Sequence, residues 1–231
     1  MNISFENKFI WWAAPRCASR QTATLMGPFK FWQYFPDAPR IEGCLYNQFD
    51  TPENPNAHSK SPFTHNASIP DEINPFEFDL IINVRNPYDW MVSCWHAEFN
   101  DLHSNPDAQN ITFEEFVKSR NPNWYVNVED NTDLQCVKYG IQPKYLIQFE
   151  NLVESVLAIP FIQDKKDHDI VKHWINSTRE ITQNMGYRNS YRAEVKNKNY
   201  KHWYTQEIAD IVYENKKHYF EFFGYDKDSW K

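Results

Sequence analysis

One segment, Phe9-Ile-Trp-Trp-Ala-Ala-Pro-Arg-Cys-Ala-Ser-Arg-Gln-Thr-Ala-Thr-Leu-Met26, constrains the fold more than any other part of the chain. Phe9 to Ala14 is an apolar run, too short and too rich in β-favouring side chains for a buried helix, and predicts a strand. Ala18 to Thr24, small and hydroxyl-bearing, can enter a helix at once. Between them lies a short loop carrying Pro15, Arg16 and Ser19. A strand that feeds a helix through a cationic loop aims the helix's unsatisfied amide N–H groups and positive dipole end at one spot, which suits a phosphate. The ATP-binding version of this design needs Gly-x-x-x-x-Gly-Lys-Ser/Thr. This loop contains neither glycine nor lysine.

A second junction of the same kind lies in Asp79-Leu-Ile-Ile-Asn-Val-Arg85-Asn-Pro-Tyr-Asp-Trp-Met-Val-Ser93. Leu80 to Val84 reads as a buried strand, Asn86 as a helix cap, Pro87 as the first helical residue and Asp89 as a first-turn carboxylate. Arg85 then stands at the strand's carboxyl end, and Ser93 about two turns into the helix at ~3.6 residues per turn. Taken singly, each junction also fits a plain role: a turn with solvated Arg16 and Arg20, an ion pair at Arg85, a surface hydroxyl at Ser93. Two phosphate-type junctions about seventy residues apart in one chain favour a shared one.

Together the two segments resemble sulfotransferases that use 3′-phosphoadenosine 5′-phosphosulfate. The family's 5′-phosphosulfate loop reads Pro-Lys/Arg-x-Gly-Ser/Thr-Ser/Thr, and Pro15, Arg16 and Ser19 match it. Its 3′-phosphate site pairs an Arg with a Ser eight positions on, within Arg-Asn/Asp-Pro-Tyr-x-x-x-x-Ser, which is the spacing of Arg85 and Ser93. Glu150-Asn-Leu152 and the terminal Tyr204-Thr205 with Phe223-Gly-Tyr-Asp226 are further points of likeness, which runs from Phe9 to Asp226.

The resemblance implies an α/β fold: a central, mostly parallel β-sheet flanked by helices, of the P-loop nucleotide hydrolase-like sulfotransferase kind. It implies direct in-line transfer of a sulfuryl group to a hydroxyl or amine acceptor. The implied donor-binding residues are Arg16, Cys17, Ala18, Ser19, Arg20, Gln21, Thr22, Arg85 and Ser93. Lys196 and Lys201, from the basic island between Arg188 and Lys201, are implied near the 3′-phosphate. Arg16 is assigned to the departing phosphate oxygen, where a guanidinium stabilises charge but cannot donate a proton as a lysine could. Two departures stand out: Ala18 where glycine is usual, and Arg20 where a second hydroxyl is usual, with Thr22 or Arg20 itself as the expected compensation. Family branches take the acceptor's proton on a histidine upstream of the 3′-phosphate strand or on a glutamate after the first helix. His65, in Lys60-Ser-Pro-Phe-Thr-His65, and Glu42 are the candidates here, with His58 a third. The chemistry requires no metal.

Length and composition bound the rest. The 231 residues suit a single domain, 1–231, and the 24 basic against 31 acidic residues give a net charge of −7. That charge offers no general pull toward nucleic acid, anionic membranes or polyanionic sugars. Cys17, Cys44, Cys94 and Cys136 lack disulfide or metal-type spacing and predict reduced thiols. Polar residues after Met1 and the lack of a long apolar run predict a soluble, cytoplasmic protein. An aromatic content of 17%, with nine tryptophans, allows an aromatic-walled pocket for a small-molecule or carbohydrate acceptor. The Pro-rich stretch 50–75 reads as a lid or substrate loop.

The remaining expected elements are a first helix continuing to Trp32, a strand within Arg40 to Tyr46, and a capping box at Thr112-Phe-Glu-Glu115. A strand over Lys144 to Phe149 follows, then helices over Ser155 to Gln163, interrupted by Pro160, and Asp169 to Ile175. A terminal helix starts at Thr205 and closes at Gly224. Two rivals share the scaffold. A P-loop-type small-molecule kinase is disfavoured by the missing Gly-Lys-Ser/Thr and by Asp79 standing at the start of its strand. The other is a non-catalytic carbohydrate- or partner-binding protein that has lost the donor through Ala18 and Arg20.

Overall fold

The computed structural model describes residues 2–14, 16–26, 32–33, 41–42, 73–100, 111–119, 141–183 and 199–231. In chain order the elements are β1 (Asn2–Ser4), β2 (Phe9–Trp12), α1 (Ser19–Met26), β3 (Trp32–Gln33), β4 (Ile41–Glu42), β5 (Asp79–Val84) and α2 (Pro87–Asn100). Then come α3 (Phe113–Lys118), β6 (Tyr145–Gln148), α4 (Leu152–Leu157), α5 (Pro160–Gln163), α6 (Asp169–Gln183) and α7 (Gln206–Phe223). Contacts divide the chain into two compact units: Met1–Val84 with Asn127–Glu180, and Arg85–Val126 with Ile181–Lys231.

The first unit holds the sheet, in the order β4-β3-β1-β2-β5-β6. Phe9 to Trp12 are all buried, so β2 must be covered on both faces, as a central strand is. It pairs in parallel with β5, Phe9 opposite Asp79 through Trp12 opposite Ile82, and β5 pairs in parallel with β6. The strands expected from the apolar runs are therefore present and form the parallel set β2-β5-β6, while β1, β3 and β4 extend it antiparallel, so the sheet is mixed where the resemblance implied a mostly parallel one. The class is α/β.

Strand β1 had no apolar run to announce it. Asn2 is fully buried because its side-chain amide donates to the Trp11 carbonyl at 3.1 Å, and Ser4 accepts from the Asn7 N–H at 3.2 Å. The first helix stops at Met26 rather than continuing to Trp32: Trp32 and Gln33 pair with β1 as a strand. Phe9, Trp11, Ile81, Ile147, Val156, Ile162 and Trp174 share one core, and Phe9 stacks on Phe161 with ring centroids 5.0 Å apart. Full burial of each large side chain contributes about 1.5–3 kcal/mol. Pro160 splits α4 from α5 as expected, because it lacks the N–H an unbroken helix would need.

The second unit is helical. Its long helix α7 buries Ile208, Val212, Tyr219, Phe220 and Phe223 on one face, is capped by Thr205, whose hydroxyl accepts the Ile208 N–H, and ends at Gly224 with φ 74. Tyr88 of α2 meets Tyr204 edge-on at 4.9 Å and Phe220 at 5.0 Å. At the kink in α7, buried Lys216 lies over the Trp90 ring of α2 at 5.5 Å. The Thr112–Glu115 capping box opens α3 as read from the sequence, and its hydrogen bonds hold the Glu115 carboxyl below its ordinary range.

Candidate functional site

After β2 the chain folds back twice, the Ala14 N–H reaching the Trp12 carbonyl at 3.1 Å and the Cys17 N–H reaching Ala14 at 3.4 Å. Arg16 and Ala18 then both adopt left-handed backbone, φ 63 and 59. That conformation costs a residue with a Cβ about 1–2 kcal/mol. At Ala18 it is held through Asn83, a polar residue inside β5 with no exposure at all. Its Oδ1 accepts the Trp11 indole N–H at 2.6 Å, and its Nδ2 donates to the Cys17 carbonyl at 3.0 Å and to Thr22 Oγ1 at 2.9 Å. Thr22 Oγ1 in turn donates to the Ala18 carbonyl at 3.1 Å, which also accepts the Thr22 N–H at 2.9 Å.

The carbonyls of Cys17 and Ala18 are thus bonded within the fold, while the first-turn amides of α1 have no intrahelical acceptor. Arg16 is exposed and Ser19, the first residue of α1, is buried. Thr22 serves the loop's shape through both its N–H and its hydroxyl. Gln21 ties α1 to α6: its side chain donates to Thr178 at 2.7 Å and its carbonyl accepts the Trp174 indole N–H at 2.8 Å.

The second junction belongs to the helical unit. Asn86 Oδ1 caps α2 by accepting the Tyr88 N–H at 3.0 Å, and its Nδ2 donates to Ser229 at 2.8 Å. Arg85 is buried, its Nε donating to Asp89 at 2.8 Å, and its backbone N–H meets the Tyr219 hydroxyl at 3.4 Å. Ser93 is buried two turns into the helix. The terminal segment holds this start in place: Tyr204 donates to the Tyr88 carbonyl at 2.8 Å, and Tyr88 donates to the Lys227 carbonyl at 2.6 Å. Burial first, then the Asp228 and Asp210 carboxylates, pushes the Tyr88 phenol well above its ordinary range. The Tyr204-Thr205 and Phe223-Gly-Tyr-Asp226 matches therefore flank a helix that buttresses Arg85.

The other candidates fall elsewhere. Lys201 is exposed and donates to the Lys231 carbonyl. Arg20 lies on α1 and Glu42 in β4, and only their backbones are described. His58, His65, Lys196 and the expected lid up to residue 72 lie outside the described residues. Cys17 and Cys94 are buried and not disulfide-bonded. A cavity of about 550 Å³ lies between α3 and α7, lined by Lys118, Glu207, Asp210 and Glu214 among others, and Lys118 bridges Glu114 and Glu207 at 2.7 Å. It contains none of the residues singled out from the sequence, and its three carboxylates oppose an anionic ligand. Among the described residues no three His, Cys, Asp or Glu side chains gather as a metal site, and no helix is long and apolar enough to cross a membrane.

Sequence reasoning passed over Asn83, Tyr204 and Tyr219 as parts of these junctions. For Asn83 the signal was present, an amide within the apolar run Leu80 to Val84. Comparison of the chain with family models, curated proteins and solved structures finds no match.

Proposed function

We propose that this chain transfers a sulfuryl group from 3′-phosphoadenosine 5′-phosphosulfate to a hydroxyl or amine acceptor, on a P-loop-like sulfotransferase fold. One observation carries the reading. Strands β2 and β5 are adjacent and parallel, so the chain leaves the sheet at the same edge after each, through the two segments that bear the halves of the donor pattern. The carboxyl ends of parallel strands are where open α/β sheets bind their ligands.

In-line transfer breaks the S–O bond to the donor phosphate as a bond from sulfur to the acceptor forms. Charge grows on the departing oxygen, so the reaction asks for positioning and for cations and N–H donors aimed there. Arg16, the amides at the start of α1 and Ser19 take the 5′ end in this reading. Arg85 and Ser93 take the 3′-phosphate, with Lys196 and Lys201 as supporting cations. The acceptor's proton passes to His65, with Glu42 and His58 as alternatives. The acceptor is a small molecule or carbohydrate, and the donor site works without a metal.

Calorimetry with adenosine 3′,5′-bisphosphate in magnesium-free buffer tests the proposal. Binding is the expected result. A preference for ATP with a magnesium requirement would replace it with the kinase, and no nucleotide binding at all with a carbohydrate- or partner-binding protein.

A further inference from the structure

We infer that Asn83, acting through Thr22, stands in for the glycine that the loop after β2 lacks: it is the positioning residue that keeps Arg16-Cys17-Ala18 in the shape that meets the donor's 5′ end. The inference rests on the function proposed above. Its starting point is a conflict. Glycine enters left-handed backbone at no steric cost, whereas Arg16 and Ala18 do so with a Cβ and without the short polar side chain that lets Asn or Asp bond locally. Something outside the loop must hold them.

At Ala18 the geometry of Asn83 does this, and Arg16 precedes the plane it fixes. An indole N–H only donates, so the group 2.6 Å from Trp11 Nε1 is the amide oxygen, and the two amide hydrogens must face the loop. One holds the Cys17 carbonyl and so the peptide plane entering Ala18. The other holds Thr22 Oγ1, whose own proton goes to the Ala18 carbonyl and so to the peptide plane leaving it. With both planes pinned, the left-handed turn at Ala18 is the conformation left to it. All three side-chain hydrogen-bonding groups of Asn83 are used, and the residue is fully buried, where an unmade hydrogen bond is most expensive.

The test uses the full chain with Asn83→Ala, Thr22→Val and Ala18→Gly, singly and in pairs, and two probes, adenosine 5′-monophosphate and adenosine 3′-monophosphate. Asn83→Ala and Thr22→Val should each weaken binding of the 5′-nucleotide roughly tenfold or more, the effect of losing a buried hydrogen bond, and leave the 3′-nucleotide unchanged. Adding Ala18→Gly should restore most of that affinity, a larger gain than the same substitution gives the wild type. Thr22→Val keeps the side chain's shape and carries the test if Asn83→Ala does not fold. Equal losses for both nucleotides, or no rescue by Ala18→Gly, would make Asn83 an ordinary core residue and overturn the inference. If the wild type binds neither nucleotide, the donor reading fails and the clamp is judged on unfolding midpoints. There Ala18→Gly must stabilise the Asn83→Ala or Thr22→Val protein more than it stabilises the wild type, and equal shifts would end the inference too.

Discussion

Replacing Arg85 alone would disturb folding as well as any ligand, because Arg85 Nε and Asp89 form an ion pair of 2.8 Å whose side chains are only 8% and 13% exposed. Removing one partner of a buried pair costs about 3–5 kcal/mol. Against a total stability of roughly 5–15 kcal/mol, Arg85→Ala could lose binding simply by unfolding. The informative perturbation is the double variant Arg85→Met, Asp89→Leu, which replaces both charges with apolar groups and should keep an unfolding midpoint close to that of the wild type. A charge-assisted hydrogen bond contributes about 1.5–3 kcal/mol, so losing a two-pronged grip on the 3′-phosphate should weaken adenosine 3′,5′-bisphosphate by roughly a hundredfold or more. Adenosine 5′-monophosphate, which lacks that phosphate, should bind as before. Calorimetry with both nucleotides, on protein whose cooperative unfolding has been checked, separates the effects. A folded double variant that holds the bisphosphate at wild-type affinity would show that Arg85 is a structural ion pair and nothing more.

Two more outcomes follow from the same reading. His65→Ala should leave bisphosphate binding intact while turnover falls by roughly two to four orders of magnitude, the usual contribution of a general base; if turnover survives and Glu42→Gln loses it, Glu42 is the base. Tyr88 carries a pH signature: its phenol titrates higher folded than unfolded, so the folded state keeps a proton that the unfolded chain releases. The stability this supplies is intact below the ordinary value of 10.0 and declines above it, by up to about 1.4 kcal/mol per pH unit. Denaturation series at pH 8 and 11 should therefore diverge for the wild type and much less for Tyr88→Phe; equal slopes would show that the phenol is not the cause.

Much of the scaffold was legible because the signals are local. The runs Phe9 to Ala14 and Leu80 to Val84 are short, mostly apolar and rich in β-favouring side chains, and strands Phe9–Trp12 and Asp79–Val84 lie there. Asn86-Pro87 and Thr112 carry their own caps, and Gly224 its own stop. The signals misled where tertiary pairing overrode them. Asn2-Ile3-Ser4 reads as a polar start and becomes a strand because Trp11 offers a carbonyl to Asn2, and Trp32 leaves the helical pattern because β1 offers an edge.

By itself, then, the sequence determined where strands run into helices and which cations stand at those points, since propensity and capping act over a few neighbouring residues. The tertiary structure alone decided how those points are held. The bonds from Asn83 reach Thr22, Cys17 and Trp11 across 61, 66 and 72 residues of chain, and Tyr219 reaches Arg85 across 134. No short-range pattern encodes such partners: they meet only once the sheet's register and the packing of α7 bring them within hydrogen-bond distance, and only then does a loop without glycine acquire a fixed shape.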